Sequence, residues 1–179
     1  MKPAFVIAIV GAESSGKTTL AQQLQTRLAA DGLTTALVGE TLREFCDRHR
    51  RTPRIDEQAA IAAEQTQRIA TAAANHAVVV ADTTALMTAV YSELVFGDAS
   101  LYAIGEAAHR RAGLTLLTAL DLPWQADGLQ RDGEHVRAPV DAAIRAALER
   151  IAHPFVVVSG QGEARLQSAW HAVRQALPK

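Results

Sequence analysis

The sequence predicts a three-layer α/β domain in which a five-stranded parallel sheet is flanked by helices on both faces. Three observations carry that expectation. Five short apolar runs, rich in β-branched residues, recur at residues 4–10, 33–38, 77–81, 114–120 and 154–158, and each is continuous rather than alternating, as in strands buried on both faces. Segments with helical spacing lie between them, and a parallel pair requires such a crossover. The first run also opens at once into Gly11-Ala12-Glu13-Ser14-Ser15-Gly16-Lys17-Thr18 and then into a helical pattern.

Length and composition are consistent with this. The 179 residues suit one domain, 1–179, able to bury most of its apolar surface without staples. A formal net charge of −1 gives no general attraction to nucleic acid or to an anionic membrane. The one cysteine, Cys46, excludes an intramolecular disulfide and a cysteine-based zinc site. No stretch reaches 18 consecutive apolar residues, and the N-terminus enters a strand without a basic leader. A cytoplasmic protein of undetermined oligomeric state, with no nucleic-acid or membrane partner, is the expectation.

Taken in order, the first helix is expected at Lys17–Ala30, with Leu20, Leu24 and Leu28 on one face and Asp31-Gly32 as its stop. The second strand ends at Gly39-Glu40, followed by a short helix over 41–48. A basic stretch, 48–54, then runs up to and past Pro53. It reads either as a solvated connection or as electropositive help for a phosphorylated ligand. Asp56 opens a long helix to Asn75, and the third strand ends in Asp82-Thr83-Thr84. Helices are expected over Ala85–Phe96 and 99–112, separated by Gly97-Asp98. After the fourth strand, residues 121–133 form a long polar, Gly-rich loop, as lids often do. An amphipathic helix over 140–151, capped early by Asp141, leads to the fifth strand. The Ser159–Gly162 turn leads to a final helix over 163–176.

The chemistry centres on the G-x-x-x-x-G-K-[ST] loop. Gly11 and Gly16 allow backbone angles that turn successive N–H groups inward, and the helix N-terminus behind them completes an anion cradle. Lys17 is placed to reach the β- and γ-phosphate oxygens, and the Thr18 hydroxyl to coordinate Mg²⁺. Strand, loop and helix in this order make ATP the expected nucleotide, with Glu13, Ser14, Ser15 and Thr19 completing its site.

In an open parallel sheet, ligands sit beyond the carboxyl ends of the strands. Asp82, just past a buried strand, is the candidate second Mg²⁺ carboxylate, and it could equally cap the following helix. Glu40 and Asp82 are two carboxylates beside the loop, either of which could act as base at an acceptor hydroxyl. Arg43 lies one turn beyond Glu40, within reach of it or of the transferred phosphoryl. Arg131 and Arg137 belong to the suspected lid over 121–137, where they could stabilise developing charge. The turn containing Gly160 could border the adenine. Tyr91 is either a core aromatic or part of a pocket wall. These parts suggest a small-molecule kinase with a lid. A GTPase switch would need an N-K-x-D motif, which the sequence lacks, and a non-catalytic ATP-binding module would need neither lid arginines nor an acceptor carboxylate.

Several of these elements together resemble one family. They are the loop G-A-E-S-S-G-K-T-T-L, the E-x-x-R-E of Glu40, Arg43 and Glu44, the Ala81-Asp82-Thr83-Thr84 segment, and Pro123-Trp124-Gln125-Ala126-Asp127-Gly128-Leu129. In this order, over nearly the whole chain, they resemble the ribosylnicotinamide kinase domain of NadR-type NAD-biosynthesis regulators and its stand-alone AAA-like ATPase relatives. The resemblance implies a P-loop kinase fold and transfer of phosphate from ATP–Mg²⁺ to the 5′-hydroxyl of nicotinamide riboside, giving nicotinamide mononucleotide. It also implies that Glu40 or Asp82 holds the ribose and accepts its proton, and that Asp127 and Arg131 belong to the lid. Where relatives carry aromatics after the second strand, this chain has Gly39 and Thr41, so base stacking would fall to Trp124 or Tyr91. The lid's usual D-G-x-R reads Asp127-Gly128-Leu129-Gln130-Arg131 here.

Overall fold

The computed structural model describes residues 3–126 and 133–178. Its centre is β1 (Phe5–Val10), which pairs in parallel with β3 (Val78–Asp82) on one side and β4 (Leu114–Thr118) on the other. β2 (Thr35–Val38) extends the sheet beyond β3, and β5 (Val156–Val158) extends it beyond β4, giving the order β2-β3-β1-β4-β5. The register sets Ile7 against Val80 and Ile9 against both Asp82 and Leu116. β1, β3 and β4 are buried on both faces, as their unbroken apolar runs predict.

Alternate residues of β1 feed different layers. Ile7 and Ile9 pack with Val78, Val80 and Leu116 against α1 (Lys17–Ala30) and α7 (Glu163–Ala176), where Leu20, Leu24, Leu28, Leu166 and Trp170 meet them. Val10 and Leu117 face α4 (Ala85–Phe96) and α6 (Arg137–Arg150) through Leu86, Val90, Val140, Ile144 and Leu148. Val6 and Val79 face α3 (Ile55–Asn75) through Ile69 and Ala72. Each fully buried leucine contributes roughly 1.5–3 kcal/mol over its exposed state. Among the described residues no helix is long and apolar enough to cross a membrane.

Several expected boundaries shift. The segment expected as one helix over 99–112 is helical only in α5 (Tyr102–His109), because the Asp98 carboxylate accepts from the Ser100 amide (2.9 Å) and holds a turn there. α6 begins at Arg137, after a 3₁₀ turn at Glu134–Val136, rather than at 140. Asp141 therefore lies inside the helix and pairs with Arg145 (2.7 Å) instead of capping it. The basic stretch joins α2 (Thr41–His49) to α3. Arg51 grips Glu57 through two 2.7 Å hydrogen bonds, and Glu57 also accepts from the Arg54 amide at the start of α3. The Arg51 hydrogen bonds, with that from the Arg54 amide, hold the Glu57 carboxyl down to about 2. Most of this stretch is exposed, as a solvated connection would be.

A polar thread crosses the α4–α6 side of the sheet. His109 is buried, with Nδ1 2.9 Å from Thr84 Oγ1 and Nε2 2.9 Å from Thr115 Oγ1; His153 Nε2 meets the same Thr115 hydroxyl at 2.9 Å. With each hydroxyl and each neutral ring donating once, one direction of proton ordering satisfies the whole thread. Burial, and then the charge of His153, push His109 down to about 3. The unfolded chain takes up that proton near 6.5 and the folded chain does not. Between those limits the unfolded state binds more protons, so stability falls as the pH falls. The urea midpoint is expected to drop between pH 7 and pH 5, and His109→Gln should flatten that slope by up to about 1.4 kcal/mol per pH unit. An unchanged slope would remove His109 as its cause.

Candidate active site: a phosphate loop facing a carboxylate-bearing helix

β1 ends against the end of β4, and the phosphate loop is built on that contact. Gly11 has φ +155°, and a Cβ there would lie 2.0 Å from Thr118 Oγ1. No side chain fits. Thr118 Oγ1 meets Ser15 Oγ at 2.6 Å; the two hydroxyls supply two protons among themselves, Ala12 O and Val10 O. Ser15 is thereby fixed with its side chain beneath the loop. Gly16, at φ +77°, starts α1 with no side chain capping it, and the first turn carries no acidic residue. The unsatisfied amides of that helix terminus and the inward curl of the loop make a site for an anion.

Lys17 Nζ donates to Ala12 O at 2.8 Å, arching over the loop it serves. Thr18 Oγ1 donates to Asp82 Oδ2 at 2.6 Å, which joins the start of α1 to the end of β3. Asp82 is 2% exposed, and its other oxygen has no hydrogen-bond partner among the described residues. A buried hard oxygen beside a hydroxyl is a donor set that fits Mg²⁺, which takes one or two protein oxygens and fills its octahedron with phosphate and water. Among the described residues no cluster of three or more His, Cys, Asp or Glu forms a self-sufficient metal cage.

The turns after β2 and β3 are tied together by a residue the sequence did not single out. Gln65, buried in α3, accepts from the Thr41 amide (2.8 Å) and donates to Gly39 O (3.2 Å) and Thr83 O (3.3 Å). The backbone is therefore held on both sides of Glu40 and just after Asp82. Thr83 has φ +72°, a left-handed angle that a β-branched residue rarely adopts, and its amide donates to Ile9 O at 3.0 Å. Such strain persists only where neighbours over-determine it.

These elements enclose an open cleft of about 950 Å³. Residues 13–19 line one end. Glu40, Arg43, Cys46 and Asp47 of α2 line the other, with Tyr91 of α4; Leu122, Pro123, Gln125, Ala126, Gln161 and Gly162 complete the rim. Glu40 is the N-cap residue of α2 by position, yet its carboxylate caps no amide there. Ser14, at φ +50°, donates to Gln125 O (2.6 Å) and accepts from Gln125 N (3.2 Å), so the loop also holds the rim.

Of the residues expected at the site, Glu13, Ser14, Ser15, Gly16, Lys17, Thr18, Thr19, Glu40, Arg43 and Tyr91 come together on the cleft wall. Gly11 lies beneath it and Asp82 behind Thr18. Trp124, Arg137 and Gly160 are not on the wall. The Trp124 indole nitrogen is buried without a partner among the described residues. Arg137 is buried at the start of α6 and donates to Leu122 O at 2.9 Å. The Gly160 amide donates to Asp121 Oδ2 at 2.6 Å. Asp121 also pairs with Arg165, whose guanidinium donates to Gly160 O (2.9 Å) and Val158 O (3.2 Å). Burial pushes the Arg165 guanidinium down, and the nearby charge of Arg137 adds to this. These two arginines therefore brace the backbone at the ends of β4 and β5. Asp127 and Arg131 lie outside the described residues. Cys46 and Asp47 were not foreseen as wall residues, whereas Gln161 and Gly162 belong to the Ser159–Gly162 turn expected to border the adenine; the 3.6-residue period from Glu40 through Arg43 is the signal that points to Asp47.

Removing Gln65 should strand Gly39 O, Thr83 O and the Thr41 amide. Gln65→Ala is expected to cost roughly 2–4 kcal/mol, read as a lowered urea midpoint. A neutral result would show that these bonds do not hold the two turns.

Comparison with known proteins agrees with this architecture. The fold is similar to that of a NadR protein solved in complex with NAD and AMP-PNP, and of a NadR protein solved in complex with NR. In both cases the TM-score is 0.76 at 19% identity, over 97% of this chain and 49% of the NadR chain. The chain thus spans about half the length of those NadR chains, and at this identity the likeness is one of fold. No curated protein matches. The model of the AAA domain family matches residues 6–165, from β1 into the first turn of α7. With its phosphate loop, parallel sheet and flanking helices in that span, the chain belongs to the AAA domain family.

Proposed function

We propose that the protein is an ATP–Mg²⁺-dependent kinase acting on the 5′-hydroxyl of a nucleoside, with nicotinamide riboside as acceptor and nicotinamide mononucleotide as product. The observation that carries this reading is a single cleft lined both by the phosphate loop and by Glu40 at the start of α2. A nucleotide sensor needs only the first half. The similar NadR structures, one holding AMP-PNP and one NR, support the pairing of ligands.

The geometry supports the following roles. The loop amides and the N-terminus of α1 would cradle the β-phosphate. Lys17 would exchange Ala12 O for the β- and γ-oxygens, its ammonium offsetting charge there. Thr18 and Asp82 would hold Mg²⁺, which when bound neutralises charge developing on the phosphate oxygens. Glu40 would accept the proton of the 5′-hydroxyl as that oxygen attacks the γ-phosphorus and the bond from phosphorus to the β–γ bridging oxygen breaks, leaving ADP. Tyr91 offers a ring face to the acceptor base, and Arg43 a charge beside the transferred group.

Incubation with ATP–Mg²⁺ and a nucleoside panel should yield the monophosphate of nicotinamide riboside. ATP binding with no product from any nucleoside would support a nucleotide-sensing module instead. Glu40→Gln is expected to lower kcat by about 10²–10⁴-fold with the KM for ATP retained; unchanged turnover would remove Glu40 as the base.

A further inference from the structure

We propose that Asp47 determines the charge of the acceptor: it serves as counter-charge to a cationic base at the far end of the cleft and selects that base over an isosteric ring bearing a carboxylate. The inference rests on the nucleoside-kinase reading and deepens it.

Three observations carry it. Glu40, Arg43 and Asp47 follow the helical repeat and all face the cleft from α2. Seven residues at 1.5 Å per residue put about 10 Å between the Glu40 and Asp47 positions. That is close to the span of a nucleoside from its 5′-oxygen to the far edge of its base. With the hydroxyl at Glu40, the base therefore extends toward Cys46 and Asp47. Second, Asp47 is exposed to the cleft and has no hydrogen-bond or ion-pair partner among the described residues, whereas the carboxylate of Glu44, three residues earlier, is already bound by Arg68 at 2.6 Å. Third, among the described residues this part of the wall carries two carboxylates, Glu40 and Asp47, against one guanidinium, Arg43. The neighbouring Arg48, His49 and Arg50 are exposed and are not wall residues.

The ring of nicotinamide riboside is a pyridinium, so its positive charge lies in the base and not in the sugar. Nicotinic acid riboside has the same ring and shape with a carboxylate in place of the amide, which would face Asp47 as a like charge. A partly solvated pair of this kind discriminates modestly and is weakened by salt.

The test compares kcat/KM for the two ribosides in the intact wild-type chain, Asp47→Asn and Asp47→Glu, at low and high salt. The wild type should prefer nicotinamide riboside, and Asp47→Asn should reduce that preference about three- to tenfold with the KM for ATP unchanged. Asp47→Glu should restore it. Added salt should erode the preference of the wild type but not that of Asp47→Asn. Equal loss for both ribosides, or an unchanged ratio, would overturn the role of Asp47 while leaving the kinase reading intact. A wild type that phosphorylates neither riboside would overturn both.

Discussion

The closest contact that matters is the one between Gly11 and Thr118. Everything in the site depends on the chain leaving β1 so near to β4 that not even a methyl group fits between them. β1 is the central strand, with β3 and β4 as its two neighbours, so its exit is where both of their ends can be reached. The loop uses that position twice: Ser15 reaches Thr118 on one side, and Thr18 reaches Asp82 on the other. A phosphate loop on an edge strand could not have both. Strand order thus sets the chemistry available to the loop.

Much of this was legible in the residues. The five apolar runs, the loop and the helix that follows it are local signals, and the structure places strands and α1 where those signals lie. The positions of Glu40 and Asp82 also follow, because each ends a strand and the carboxyl ends of parallel strands share one side. What could not be read was tertiary. Nothing in the sequence around Gln65 distinguishes it from Gln58 or Gln67 on the same alanine-rich helix; its role exists only because β2 and β3 end beside it. Arg165 carries charge yet is buried, because backbone carbonyls beside the ends of β4 and β5 and the Asp121 carboxylate receive its donors; Arg137 is buried with one donor on Leu122 O, its Nε and Nη2 having no partner among the described residues. Trp124 is in a polar stretch but does not line the cleft, since burial there is decided by what packs over it rather than by its neighbours in sequence.

The site is stiff where charge must be placed. Backbone on either side of Glu40 is held by one buried amide, and the strained Thr83 lies under the same amide. The opposite rim is braced from below by the arginine pair and held across the cleft by Ser14. Pre-positioned carboxylates and donors need little reorganisation when charge develops, which is the general source of electrostatic catalysis.

Cys46 gives this arrangement a practical consequence. It is the chain's sole thiol, it is 2% exposed, and the surface it borders is the part of the cleft lined by α2. A thiol reagent therefore approaches from the cleft. Alkylation of one atom then becomes a footprint of occupancy: whatever fills that part of the cleft shields the sulfur, whether or not it is turned over. The protein carries its own reporter of ligand binding beside α2, with no background from any other cysteine.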